Sequence, residues 1–167
     1  MILASQIAMK RSLNNEKQLT LELSELFQKV EKEVQELLQE YGTSEVVLQG
    51  QIQIILSPIK ASHEEYYKII EEHILREFDA GTREGDRLVE LNNPQMVKSI
   101  INEIRRKNLF GTLEYSEEKL LNQTFTASQT TMERIDESIK QILTDGYKSG
   151  KGIDGVGRDL NKRFKQL

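Results

Sequence analysis

NEKQLTLELSELFQKVEKEVQELLQEY, residues Asn15–Tyr41, decides the fold class. Leu19, Leu23, Leu26, Val30, Val34, Leu37 and Tyr41 recur at alternating three- and four-residue steps. Successive helical residues are offset by about 100°, so these side chains form one apolar stripe along several turns of α-helix. Glu22, Glu25, Lys29, Glu31, Lys32, Glu33 and Glu36 fall mostly on the other face, and Gly42 supplies the C-terminal stop. Such a stripe is either buried in the chain's own core or offered as a coiled-coil seam. The second option makes residues 15–41 a candidate surface for self-association or for an adaptor's partner.

Outward from this segment the same 3.6-residue period recurs. Glu45 to Leu56 is rich in β-branched residues, but Leu48, Ile52, Ile55, Leu56 and Ile59 fit a helical face and no second strand candidate exists to pair with it. We read it as helix. Ser57-Pro58 breaks or kinks the chain, because proline donates no amide hydrogen and restricts the residue before it. A long helix is expected from Ile59 to Ala80, with Tyr66, Ile69, Ile70, His73, Ile74 and Phe78 inward. Gly81 and Gly85 should bend or stop it before a helical continuation from Asp86 to Leu91. Asn92-Asn93-Pro94 is a helix start, opening an apolar face of Met96, Val97, Ile100, Ile101 and Ile104 that closes at Arg105-Arg106-Lys107.

Asn108 to Tyr115 reads as a loop tucked onto the core, and Ser116 with Glu117 and Glu118 opens a short helix over Leu120, Leu121 and Phe125. A last long helix, about Ala127 to Lys148, presents Met132, Ile135, Ile139, Ile142, Leu143 and Tyr147 on one side. Ser149 to Gly152 forms a turn, and Asp154 caps a final short helix in which Val156, Leu160 and Phe164 point inward. The expectation is an all-α, elongated multi-helix bundle with long amphipathic helices and a short basic C-terminal helix. It divides into an N-terminal helical region, 1–92, and a C-terminal one, 93–167.

Composition narrows the chemistry. The chain has 167 residues, 37% hydrophobic, enough for one core or two small helical subdomains. With no cysteine, disulfides, thiolate nucleophiles and cysteine zinc sites are excluded. Met1-Ile2-Leu3-Ala4 is far short of a signal-peptide core and no later apolar run suffices for a bilayer, so the expectation is a soluble protein without a membrane anchor. His63 and His73 stand ten residues apart, about 80° from a shared helix face, and the neighbouring Glu64, Glu65, Glu71 and Glu72 look like a solvated surface. No metal site is expected there. There is no His-Glu-x-x-His, no phosphate loop and no Gly-x-Ser-x-Gly, and Gly150-Lys151-Gly152 lacks both the Walker spacing and a preceding strand. We expect no enzyme and no cofactor.

Charge is unevenly spread. The net charge is −4, yet from Lys148 to Leu167 six cations (Lys148, Lys151, Arg158, Lys162, Arg163 and Lys165) face two carboxylates, Asp154 and Asp159. The tail is either the wet face of an amphipathic helix or a contact for DNA or an acidic partner. With almost no interleaved aromatic residues, contact with DNA would be non-specific and salt-dependent.

Residues 124–167 also resemble the phage head morphogenesis family, the minor head proteins of tailed phages related to the phage Mu F protein. Ser128, Thr131, Arg134 and Ile135 match the family's helix start, and Ile139, Leu143, Gly146, Tyr147 and Gly150 follow its I…L..GY..G spacing. Gly152-Ile153 stands at the family's Gly-[Ile/Trp] turn, and Val156, Leu160 and Phe164 fit its closing helix. The likeness covers about a quarter of the chain, and the family's following Arg-Thr-Glu helix has no counterpart in residues 1–167. The resemblance implies a structural protein of the virion or host cytoplasm that associates with the portal protein, the major capsid protein or both, and acts in head assembly and DNA packaging or delivery. Gly146-Tyr147 and Gly150-Lys151-Gly152 would then set the angle between the last two helices. Two other classes remain: the non-catalytic carrier module of a toxin or ADP-ribosyltransferase-type protein, and a cellular coiled-coil adaptor.

Overall fold

The computed structural model describes the backbone of residues 2–42, 51–92 and 109–167, and the side chains of residues 6–42, 51–83 and 117–167. All regular structure among the described residues is helical: α1 (Ile2–Tyr41), α2 (Ser57–Ala61), α3 (His63–Asn92), α4 (Leu109–Lys148) and α5 (Ile153–Phe164), with residues 51–55 helical ahead of α2. None of the described helices is long and apolar enough to cross a membrane.

α1 begins thirteen residues before the expected Asn15. Nothing in residues 2–14 opposes helix, since the stretch contains neither glycine nor proline and is rich in Ala, Leu, Met, Lys, Gln and Arg. Its end falls where expected: the Gly42 amide donates to the Leu38 carbonyl at 2.8 Å. Residues 51–55 confirm helix in the second half of the Glu45–Leu56 segment, and the remainder of that segment up to residue 50 lies outside the described residues. Pro58 sits in the first turn of α2, the place where its missing amide hydrogen is not needed.

Three expectations are corrected. The helix expected from Ile59 is interrupted at Ser62, whose amide bonds back to Pro58 and Ile59 while its hydroxyl donates to the Ile59 carbonyl at 2.7 Å. α3 then runs without a break through Gly81 and Gly85 to Asn92; a helix-interior glycine costs about 1 kcal/mol against alanine, too little to stop a long helix. The segment read as a loop, Asn108 to Tyr115, is helical from Leu109 onward, and both the short helix opened by Ser116 and the long one expected from about Ala127 belong to the single helix α4. Gly111 is the only glycine between Leu109 and Tyr115, and the segment holds no proline. The helix expected to start at Asn93-Pro94 lies outside the described residues.

By contacts the chain forms two compact units, each assembled from separated segments: Met1–Leu19 with Ile70–Thr126, and Thr20–Ile69 with Ala127–Leu167. In the first, α1 and α3 are tied by a paired contact. The Asn15 side-chain amide donates to the His73 carbonyl at 3.3 Å, and the ring Nδ1 of buried His73 meets the Asn15 side-chain oxygen at 2.7 Å.

The second unit holds a core built from every helix that enters it. α1 supplies Leu26, Phe27, Val30, Val34 and Leu38; residues 51–61 supply Ile52, Ile55, Leu56 and Ile59; α4 supplies Met132, Ile135, Ile139 and Leu143; α5 supplies Val156, Leu160 and Phe164. Tyr66 and Ile69 of α3 pack against it, with the Tyr66 ring 6.0 Å from that of Phe27. The seven-residue stripe of α1 is therefore mostly used inside the protein. Leu38 is the deepest residue near the end of the helix, with Leu37 half-buried beside it against the core.

Candidate functional site

The residues that carry the family resemblance converge on one feature of the second unit, the α4–turn–α5 hairpin. α4 ends in a paired turn. The Gly150 amide donates to the Tyr147 carbonyl at 3.1 Å and the Lys151 amide to the Gly146 carbonyl at 2.9 Å, with Gly150 left-handed at φ 66°. This is the Schellman arrangement, which absorbs the last carbonyls of a helix and asks for glycine at the reversing position. The chain then leaves in extended conformation at Gly152 (φ −66°, ψ 164°), which acts as the N-cap of α5 with no side-chain cap. The expected cap, Asp154, lies instead inside the first turn of α5, where a carboxylate favours the helix N-terminus through the dipole.

α5 is docked between α1 and α4. Its buried Val156 packs onto α4 at Gly146 so closely that a Cβ placed there would lie 2.4 Å from Val156 Cγ2. On the α1 side the Gln35 side-chain amide donates to the Gly157 carbonyl at 2.8 Å and the Asn161 side-chain amide to Glu31 Oε1 at 2.6 Å. Sequence reading missed Gln35, Glu31 and Asn161, because polar pairs more than a hundred residues apart leave no periodic trace. The one local signal was Gly157, a glycine inside a helix, which often marks a close approach.

The four turn residues thus play different parts. Gly146 allows close packing, Gly150 reverses the chain, and Tyr147 is half-buried. A methyl group added at Gly152 would meet nothing within 4 Å, and the backbone conformation there is open to any residue. Tyr147, Gly150 and Gly152 line a groove of about 470 Å³ together with Leu38, Gln39, Gly42, Lys151, Ile153, Asp154 and Val156. A second groove of about 480 Å³ lies along α1 and the end of α5, lined among others by Leu23, Phe27, Glu31, Phe164, Lys165 and Leu167.

The six C-terminal cations separate into two groups. Lys151 pairs with Asp159 at 2.5 Å, and its hydrogen bond to that carboxylate, aided by the Lys162 and Arg158 charges, holds Asp159 below the usual aspartate range. Arg163 donates from Nε to Ser138 Oγ on α4 at 2.7 Å. Lys148, Arg158, Lys162 and Lys165 are exposed, and none forms an ion pair with a described residue.

Chemistry-bearing groups are otherwise sparse. Among the described residues no cluster of three His, Cys, Asp or Glu side chains is placed to hold a metal ion. His73 is committed to Asn15, and the buried Nε2 of His63 has no hydrogen-bond partner. No known protein family, no curated protein and no solved structure matches this chain.

Proposed function

We propose that this chain is an assembly protein of the minor head type, a helical scaffold that associates with the portal vertex or procapsid of a tailed phage and works through its surfaces. One observation supports this above the others. Of the residues that resemble that family, Ile135, Ile139, Leu143, Gly146, Gly150, Val156, Leu160 and Phe164 build and dock the α4–α5 hairpin, while Thr131, Arg134 and Gly152 are exposed. A motif made of core contacts and a chain reversal describes a structural module. Head assembly and DNA packaging or delivery are the roles it carries, with the portal protein and the major capsid protein as partners.

The test is coexpression with the portal protein encoded beside its gene, followed by size-exclusion chromatography with light scattering. A single complex of defined mass that survives moderate salt is the expected result. Clean separation of the two proteins would remove portal association as the main role.

A second role, the coiled-coil adaptor, is favoured by a separate observation. α1 is 40 residues long, and the exposed Met9, Leu13 and Leu21 fall within about 120° of one another around it. Self-association through α1 would appear as concentration-dependent mass in light scattering of the chain alone, abolished by Met9→Lys with Leu13→Lys.

A further inference from the structure

α5 and the residue that follows it present their cations in order. Arg158, Lys162 and Lys165 lie at i, i+4 and i+7, on the side of the helix opposite buried Val156, Leu160 and Phe164. At about 1.5 Å of rise per residue they span about 10 Å. That length matches the axial rise of about three nucleotides of one strand of a duplex, each phosphate advancing about 3.4 Å along the duplex axis. Lys165 keeps right-handed helical backbone geometry, so the third cation holds its place in the row.

We propose that this face of α5 is a binding surface for the phosphodiester backbone of double-stranded DNA, contacted without regard to sequence. The protein's own contacts have already used the neighbouring charges: Asp159, at the edge of the row, is taken by Lys151, and Arg163 is turned toward Ser138. The row is left with no ion pair to a described residue. Its other neighbours are Asp154, Gly155, Gln166 and Asn161, whose side-chain amide holds the Glu31 carboxylate, with no large apolar or aromatic side chain of α5 on that face. Protein interfaces centre on buried aromatic, Met and Arg anchors and are depleted in Lys, so an acidic protein fits this face less well than a polyanion does. Single-stranded nucleic acid is recognised by stacking on aromatic rings, and the aromatic residue of α5, Phe164, is in the core. Arginine and lysine both bind phosphate oxygens, arginine as a planar fork and lysine as a point charge. The rest of the chain carries a surplus of carboxylates, which confines contact to this helix and keeps the affinity low.

Duplex binding by α5 needs no portal protein, so either proposal can fail alone. Fluorescence anisotropy of a labelled duplex of about 20 base pairs and mixed sequence, titrated with the full chain across a range of NaCl concentrations, tests it. Three phosphate contacts give a log–log slope of about −2.7, a loss of about fortyfold between 50 and 200 mM salt. Arg158→Gln with Lys162→Gln and Lys165→Gln should remove almost all of that slope, about 0.9 for each charge. Asp154→Asn, which removes the carboxylate beside the row, should tighten binding severalfold. A control that removes three charges elsewhere, Lys10→Gln with Lys17→Gln and Lys32→Gln, should leave the slope in place; circular dichroism of each variant verifies the fold. Absence of binding at 50 mM salt overturns the proposal, as does an equal effect of both triple variants. Competition by polyglutamate as effective as unlabelled duplex would also overturn it and assign the face to an acidic polypeptide.

Discussion

At Gly146 two opposing effects are of comparable size. Alanine in a helix interior is favoured over glycine by about 1 kcal/mol. Against this, a methyl group there would stand 2.4 Å from Val156 Cγ2, a side chain that is itself buried and rotamerically stiff. Overpacking of this kind costs about 1–3 kcal/mol, so Gly146→Ala should be net destabilising by about 1 kcal/mol. Gly150→Ala forces a side chain into the left-handed region and should cost about 1–2 kcal/mol. Gly152→Ala should be neutral within about 0.5 kcal/mol, since it meets neither obstacle. Urea denaturation of the three variants measures this ranking, and a Gly152 variant as unstable as the Gly150 one would contradict it. The glycines themselves were visible in the sequence. Their separate duties were not, because a close approach depends on the residue across the gap, here Val156.

The Lys151–Asp159 pair belongs to the same scale. The carboxylate's pKa is depressed in the folded protein, first by its hydrogen bond from Lys151. The contribution to stability is therefore present above the ordinary aspartate pKa and is lost as pH falls through the lower, folded value. Lys151→Met should raise the Asp159 midpoint toward the ordinary range in a carboxyl-detected NMR titration, incompletely because the Arg158 and Lys162 charges remain. Both partners are well exposed, so the pair orders the turn more than it stabilises the fold.

Among the elements, α4 separates the two ways of reading the stretch around Ser116. Were Ser116 a helix cap, Glu117 would be the first helical residue, where proline is well tolerated. The observed helix begins at Leu109, which places Glu117 about two turns inside it. Glu117→Pro should therefore cost about 3 kcal/mol and lower the helical circular dichroism signal; an unchanged denaturation midpoint would restore the loop and cap. Helix type and apolar faces were legible from periodicity: Met132, Ile135, Ile139 and Leu143 are buried as their spacing required. Helix ends were less so. Ser116, Asp154 and Gly81 carry local start or stop signals worth about 1 kcal/mol each, which the burial of a long apolar face exceeds.

For the whole molecule, protection should follow burial. In α1 the segment Leu26–Leu38 carries five core side chains, whereas residues 6–14 are nearly all exposed. Amide hydrogen exchange should be slowest across Leu26–Leu38 and faster by orders of magnitude across residues 6–14, although both belong to one helix; uniform protection along α1 would show that its first turns are covered by something else.

The all-α class, the absence of thiol chemistry, the amphipathic faces and the basic stretch from Lys148 to Leu167 were determined by the amino-acid sequence alone, because they follow from side-chain period and composition. The tertiary structure decided what period cannot encode. It chose Leu38 over Leu37 for the core and placed Gln35 and Glu31 in contact with α5 across more than a hundred residues. It also divided six similar cations into those bound within the chain and those left facing solvent, since a charge becomes available only when folding brings no partner to it.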